Sequence, residues 1–214
     1  MKDLHKHKGM RQKLVNELTR KGINNPKVIA ALYNVPRHFF LDDAFDEWAY
    51  RDVAFPIEAE QTISQPYTVA FQTQLLNVQP GEVVLEVGTG SGYQACILAE
   101  MGAKVYTIER QKSLYDKTSA LLNRIGYGNI RTLHGDGYLG AERFAPFDKI
   151  IVTAGATSIP NVLFEQLSIN GTMVIPVGRN GSQTMLEINK TDVDKFDLKR
   201  RGGFKFVPFL AGVS

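Results

Sequence analysis

The stretch Glu86-Val87-Gly88-Thr89-Gly90-Ser91-Gly92-Tyr93 is the part of this chain best equipped for chemistry. It follows the apolar run Val83 to Val87 and precedes a helical pattern, the setting in which a glycine loop binds a nucleotide or nucleoside. Glycines let the backbone turn sharply and let a ligand come close. Glu109 stands 21 positions beyond Gly88, at the end of a second apolar run. A carboxylate there can accept from both ribose hydroxyls, and it would repel a 2′-phosphate. His134-Gly135-Asp136-Gly137 closes a third run, so Asp136 could accept from an adenine amino group. The alternative for that turn is an ordinary Asp-Gly reversal.

Two nucleoside ligands compete for the loop. A dinucleotide needs G-x-G-x-x-G, but here the spacing is G-x-G-x-G and Tyr93 occupies the third glycine's place. A large residue there obstructs the close helix–strand packing that a pyrophosphate cradle uses. S-adenosylmethionine carries no phosphate, and Glu86 would add negative charge near its cationic methionine end. No G-x-x-x-x-G-K-[ST] is present, and Ser91 lacks the flanking glycines of a nucleophile elbow.

These residues need a scaffold. The chain has 214 residues, 43% hydrophobic and 22% charged, which predicts a single globular domain with a substantial core. Residues 1–78 read as a mostly helical N-terminal subdomain. Met10, Leu14, Val15 and Leu18 recur at helical spacing, Asn25-Pro26 opens a short helix, and Pro66 opens another through Leu76. Residues 79–214 alternate strand and helix. Strands are expected at 83–87, 105–108, 130–133, 149–152 and 172–175, with helices near 91–101, 111–125 and 160–168. That alternation implies right-handed βαβ units and a doubly wound, mostly parallel sheet. Antiparallel strands at 184–189, 197–200 and 203–207 would be added at its edge. Asn180-Gly181 reads as a hairpin turn.

Other features exclude some functions. A lone cysteine, Cys96, permits no internal disulfide, and His5, His7, His38 and His134 show no metal-binding spacing, so no metal is expected. No apolar run spans a membrane, and cytoplasm is the default compartment. The net charge is +3. Lys2, Lys6, Lys8, Arg11, Lys13, Arg20 and Lys21 face only Asp3 and Glu17 in the first 21 residues, which leaves the rest slightly acidic. That arm reads as a solvated helix face, and the body is a poor footprint for nucleic acid. Monomer is the default state.

Thr62-Ile63-Ser64-Gln65-Pro66-Tyr67, then Val84 through Tyr93, then Gly135-Asp136-Gly137, closely resemble the protein-L-isoaspartate (D-aspartate) O-methyltransferase family. Val35-Pro36-Arg37 with two following phenylalanines, and Phe206-Val207-Pro208-Phe209 as a terminal strand, extend the resemblance to nearly the whole chain. The glycine loop is shared with many methyltransferases; the Thr-Ile-Ser-Gln-Pro segment is the more specific mark. The resemblance implies the Rossmann-like methyltransferase fold and S-adenosylmethionine as donor, leaving S-adenosylhomocysteine. The implied reaction methylates the free α-carboxylate of L-isoaspartyl residues in age-damaged proteins, after which the ester closes to a succinimide. By the match, Glu86, Gly88, Thr89, Gly90, Ser91 and Gly92 line the methionine and ribose part of the donor. Glu109 holds the ribose, and Asp136 with Gly137 the adenine. Ser64 is the active-site serine, with Ile63, Val207 and Pro208 against the substrate.

The chemistry asks for little. An α-carboxylate, pKa about 3.5, is already ionised at pH 7, so positioning dominates. Ser64 then orients one carboxylate oxygen while the other attacks. The competing reading makes Ser64 a cap for the helix at Pro66. Cys96 reads as core, Phe39, Phe40, Phe45, Trp48 and Phe55 as packing between subdomain and sheet, and residues 62–66 as a segment closing over donor. The rival functions are an RNA or small-molecule methyltransferase, an NAD-linked oxidoreductase and a donor-binding module without catalysis. Asn170-Gly171 and Asn180-Gly181 also make the aged protein a candidate substrate for itself.

Overall fold

The computed structural model describes residues 2–179 and 181–214. Helices α1 (His5–Arg20) and α2 (Pro26–Asn34) open the chain, followed by short 3₁₀ turns, a two-stranded ribbon of β1 (Phe55–Pro56) and β2 (Thr62–Ile63), and α3 (Pro66–Leu76). The sequence pattern announces no ribbon there, since each of its strands is only two residues long. Asn25 caps α2 by accepting from Lys27 N at 2.9 Å, and Pro26 supplies the first helical residue without wasting a donor. The helix α3 ends at Asn77, whose φ of 49° is left-handed.

Then come β3 (Val83–Val87), α4 (Tyr93–Glu100), β4 (Lys104–Glu109), α5 (Lys112–Arg124), β5 (Arg131–His134), β6 (Phe147–Val152), α6 (Asn161–Glu165), β7 (Leu167–Arg179), β8 (Ser182–Asp192) and β9 (Lys195–Phe204). The sheet order is β5-β4-β3-β6-β7-β8-β9. Strands β3 to β7 run parallel, and β8 and β9 antiparallel. The order reverses beside β3, and a crevice at the carboxyl ends of β3 and β6 is where such sheets bind ligands.

Both faces of the sheet are covered, which explains why its strands are apolar runs rather than alternations. Val84, Val105, Ile151 and Val174 pack toward one face, with α1, α2, α3 and α4. Leu85, Ile108, Ile150, Val152, Met173 and Ile175 pack toward the other. The two-residue period of the strand divides them. Phe40 and Phe55 are buried as expected, whereas Trp48 is 46% exposed and lies under the Arg51 guanidinium.

Three boundaries depart from the sequence reading. Leu167 and Ser168 belong to β7 and not to the preceding helix, because Leu167 pairs with Phe147 across the sheet. Residues 197–200 and 203–207 do not form two strands. One strand, β9, spans the gap, with a register shift opposite Thr184–Leu186 and Gly202 at φ 102° absorbing the irregularity. Nor do Phe206 to Phe209 form a terminal strand. Pro208 has no N–H to continue a ladder. Instead Val207 O accepts from Gly155 N and Phe209 N donates to Gly155 O, carrying this segment across the carboxyl ends of the strands. In the β7–β8 hairpin Arg179 pairs with Ser182; Asn180 lies outside the described residues.

Histidines scattered in sequence meet in space. The His7 and His38 rings lie 3.8 Å apart beside Asp3. Asp3 is bonded to Arg11, His7 Nε2 to Asp46, and His38 Nδ1 to the Tyr50 hydroxyl. This network ties the amino-terminal residues to the 3₁₀ turns behind them.

Candidate active site

The glycine loop is fastened from three sides. Gly88 N and Thr89 N donate to Ile108 O, Gly90 N donates to Glu109 Oε2 at 2.9 Å, and Gly90 O accepts from the Thr118 hydroxyl at 2.6 Å. The Thr153 hydroxyl lies 2.7 Å from Gly88 O. Gly88 has φ 101°, and a β-carbon there would stand 2.5 Å from Thr153 Oγ1, so conformation and contact both demand glycine.

Glu86 sits beneath the loop with no exposed surface. The Thr89 hydroxyl is 2.7 Å from that of Thr107, which donates to Glu86 Oε2 at 2.6 Å. Glu86 Oε1 has no protein partner. Burial pushes this carboxyl up to about 8, so it holds its proton at neutral pH. The negative charge expected at Glu86 is therefore disfavoured by its surroundings. Burial disfavours the ion, and a single hydroxyl donor does not compensate.

Glu109 accepts from Gly90 N through one oxygen and from Gln111 N through the other, each at 2.9 Å. Each oxygen retains accepting capacity for a ligand hydroxyl. Asp136 is more fully engaged: Oδ1 caps Tyr138 N at 2.8 Å and Oδ2 accepts from Gly212 N at 2.6 Å.

A cavity of about 900 Å³, open mouth included, gathers most of the expected residues. Ile63, Ser64, Glu86, Gly88, Thr89, Gly90, Ser91, Glu109, Gly137, Val207 and Pro208 all line it. Gly92 and Asp136 do not line it. Gly92 turns toward α5, where a β-carbon would meet Thr118 Cγ2 at 2.8 Å. Asp136 shapes the turn and anchors the carboxyl-terminal residues. Gly137 lies where a β-carbon would strike Val87 and Phe209.

Sequence reasoning missed several lining residues. Arg110, Gln111 and Thr153 directly follow β4 and β6, and the rule that ligands bind at carboxyl ends of strands could have found them. Gln72 and Gln94 come from helices α3 and α4, and no local pattern marks them. Arg37 stands out in sequence only as part of the Val35-Pro36-Arg37 motif. It is fully buried, donates to Ser64 O at 2.9 Å and lies 4.8 Å from the centre of the Tyr93 ring.

Ser64 borders the cavity without a hydrogen bond to its hydroxyl among the described residues. Gln65, not Ser64, is the cap residue of α3, and the side chain that accepts from its first turn is Asp52, whose Oδ1 takes Tyr67 N at 2.7 Å. The hydroxyl is thus free to meet a ligand.

The cavity suits S-adenosylmethionine. Glu86 Oε1 is a buried acceptor without a hydrogen-bond partner among the described residues, and both Glu109 oxygens can accept a further donor. A nucleoside-binding loop on this sheet order defines an S-adenosylmethionine-dependent methyltransferase of the Rossmann-like type. The family model Protein-L-isoaspartate(D-aspartate) O-methyltransferase (PCMT) matches residues 9–214. The chain belongs to that family.

Relatives agree. The chain is 53% identical over 210 residues to the protein-L-isoaspartate O-methyltransferase of Christiangramia forsetii, covering 98% of each. It is 54% identical over 210 residues to the Flavobacterium psychrophilum protein of the same name, again covering 98% of each. A solved protein-L-isoaspartate O-methyltransferase superposes with TM-score 0.85 at 26% identity, over 92% of this chain and 65% of that longer one. A second, from Plasmodium falciparum in complex with S-adenosyl-L-homocysteine, gives TM-score 0.81 at 27% identity, over 95% of this chain and 98% of that one.

Proposed function

We propose that the cavity under the glycine loop seats the donor, and that Ser64 orients the acceptor carboxylate at its open end. The reaction is that of the family: the methyl group of S-adenosyl-L-methionine passes to the free α-carboxylate of an L-isoaspartyl residue in a damaged protein. The resulting ester initiates repair through a succinimide. The observation that carries the site reading is Ser64 itself. It lines the donor cavity and the adjoining groove at once, with its hydroxyl uncommitted.

The donor supplies a sulfonium methyl, an electrophile that needs no further activation. The protein's part is geometric. One acceptor oxygen takes the Ser64 hydroxyl as donor, which turns the second oxygen toward the methyl carbon at roughly 3–3.5 Å. Val207 and Pro208, held on Gly155, border the acceptor's main chain. Ile63 and Val69 keep that end dry, which strips water from the attacking oxygen. Glu109 holds the ribose, and the Gly137–Phe209 contact flanks the base.

No helix among the described residues is long and apolar enough to cross a membrane. The reading extends to a cytoplasmic monomer acting on polypeptides. The near-neutral charge beyond the first 21 residues supports a polypeptide over nucleic acid.

The test is transfer from labelled S-adenosylmethionine to paired peptides, one with L-isoaspartate and one with L-aspartate. Alkali-labile label on the isoaspartyl peptide alone is expected. Label on both, or on neither while the donor binds, discards the acceptor assignment.

A further inference from the structure

A second groove opens beside the donor cavity and shares Thr62, Ser64, Thr153 and Val207 with it. It measures about 1440 Å³, mouth included. Its aromatic wall is a ladder: Tyr67 stacks on Phe71 at 5.7 Å, Phe71 meets Phe204 at 5.2 Å, and Phe204 meets Phe206 at 6.5 Å. Among the described residues, its only charged lining residues are cations, Arg201 and Lys205. Arg201 is paired with Glu187 at 2.7 Å, whereas Lys205 is exposed and forms no ion pair among the described residues.

The groove runs onto the last strand of the sheet. Strand β9 pairs only with β8, so its outer edge offers unpaired main-chain donors and acceptors. Residues 195–203 are exposed, and no atom lies within 4 Å of a β-carbon built on Gly202 or Gly203, which leaves room for a second backbone. From 195 to 205 the charges are Lys195, Lys199, Arg200, Arg201 and Lys205 against Asp197 alone. Such a surface suits an extended chain added at the strand edge, with side chains selecting the partner.

We propose that the groove and the adjoining end of β9 hold the residues flanking the isoaspartyl group, and that Lys205, seconded by Arg201, selects acceptor polypeptides bearing carboxylate side chains there. This rests on the reading of Ser64 as the acceptor's anchor. The isoaspartyl carboxylate sits at Ser64, and its neighbours in sequence extend over the aromatic ladder toward Lys205. Their acidic side chains meet a cation that has no other partner. The selectivity belongs to binding and not to the methyl-transfer step.

The experiment measures KM for three isoaspartyl peptides of equal length with glutamate, glutamine or lysine flanks, at low and high salt. Wild type is compared with Lys205→Glu, an exposed position whose substitution is checked by melting temperature. The glutamate peptide should have a KM about two- to fivefold below the glutamine peptide, the range of an exposed ion pair, and the gap should shrink with salt. In Lys205→Glu the order should flatten or invert. Equal KM values in wild type, or an unchanged order in the variant, overturn the proposal while leaving methyl transfer intact. Equal inhibition of all three peptides by an RNA oligonucleotide, with no peptide preference, assigns the surface to nucleic acid instead. No turnover of any peptide overturns the acceptor reading, and this proposal with it.

Discussion

The guanidinium of Arg37 donates from Nη2 to the main-chain oxygen of Ser64 at 2.9 Å, linking a 3₁₀ turn of the helical region to the candidate active site. Arg37 Nε and Nη1 have no hydrogen-bond partner among the described residues, the guanidinium lies against the Tyr93 ring, and burial lowers its pKa to about 10, so it stays charged at neutral pH. A buried cation with no carboxylate bonded to it is a poor stabiliser. Its clear effect is to fix where the Ser64 main chain sits.

Arg37→Met should therefore leave the melting temperature near or above that of wild type, while lowering kcat about tenfold or more. A misplacement of about 1 Å at a reacting group has effects of that order. Affinity for S-adenosylhomocysteine should change little, and Arg37→Lys should recover part of kcat. Equal losses of stability and of affinity would show a merely structural role.

Ser64→Ala removes a hydroxyl that bonds nothing within the described protein and caps no helix. The melting temperature should hold, whereas loss of a true cap costs about 1 kcal/mol. Turnover of an isoaspartyl peptide should fall about 10- to 100-fold. Full turnover in the variant would remove Ser64 from the reaction.

Glu86 ties donor binding to pH. Its folded pKa, raised to about 8, lies above the ordinary 4.5, so the folded state holds a proton that the unfolded state has lost. That contribution to stability is complete below pH 4.5 and is lost as pH rises through 8. Glu86→Gln should flatten this stretch of the stability profile. A ligand presenting an ammonium to Oε1 favours the ionised form. Calorimetry of S-adenosylhomocysteine binding in buffers of different ionisation enthalpy should therefore register proton release near pH 7, absent in Glu86→Gln. Buffer-independent heats in wild type would refute the linkage.

Two glycines of one loop should fail differently. In Gly88→Ala the added carbon meets Thr153 Oγ1 at 2.5 Å from a left-handed φ of 101°, inside the donor cavity wall. In Gly92→Ala it meets Thr118 and Leu122 of α5, away from the cavity. Gly88→Ala should weaken S-adenosylhomocysteine binding tenfold or more. Gly92→Ala should mainly lower the melting temperature, by the equivalent of about 1–3 kcal/mol. Calorimetry and thermal melts on both variants separate the two effects.

Short-range patterns in the sequence determined the elements and the donor loop. The strand at 83–87, the helix opened by Pro66 and the glycine run through Gly92 are recognisable because their physics is local: side-chain burial on two faces, a fixed proline φ, and left-handed turns. Glu109 and Asp136 were visible for the same reason, as polar residues closing apolar runs. Tertiary structure alone decided what those residues do. Glu86 reads as an anion in sequence, yet its burial among β-strands favours the neutral acid. Gly92 and Asp136 read as ligand contacts in sequence, and the fold adds neighbours that no local pattern announces, the α5 side chains beside Gly92 and Gly212 N on Asp136. Arg37 and Ser64 stand 27 positions apart, and only the packing of the helical region onto the sheet brings guanidinium and carbonyl together. Charge state and contact depend on dielectric and distance, which are properties of the folded molecule and not of any short segment.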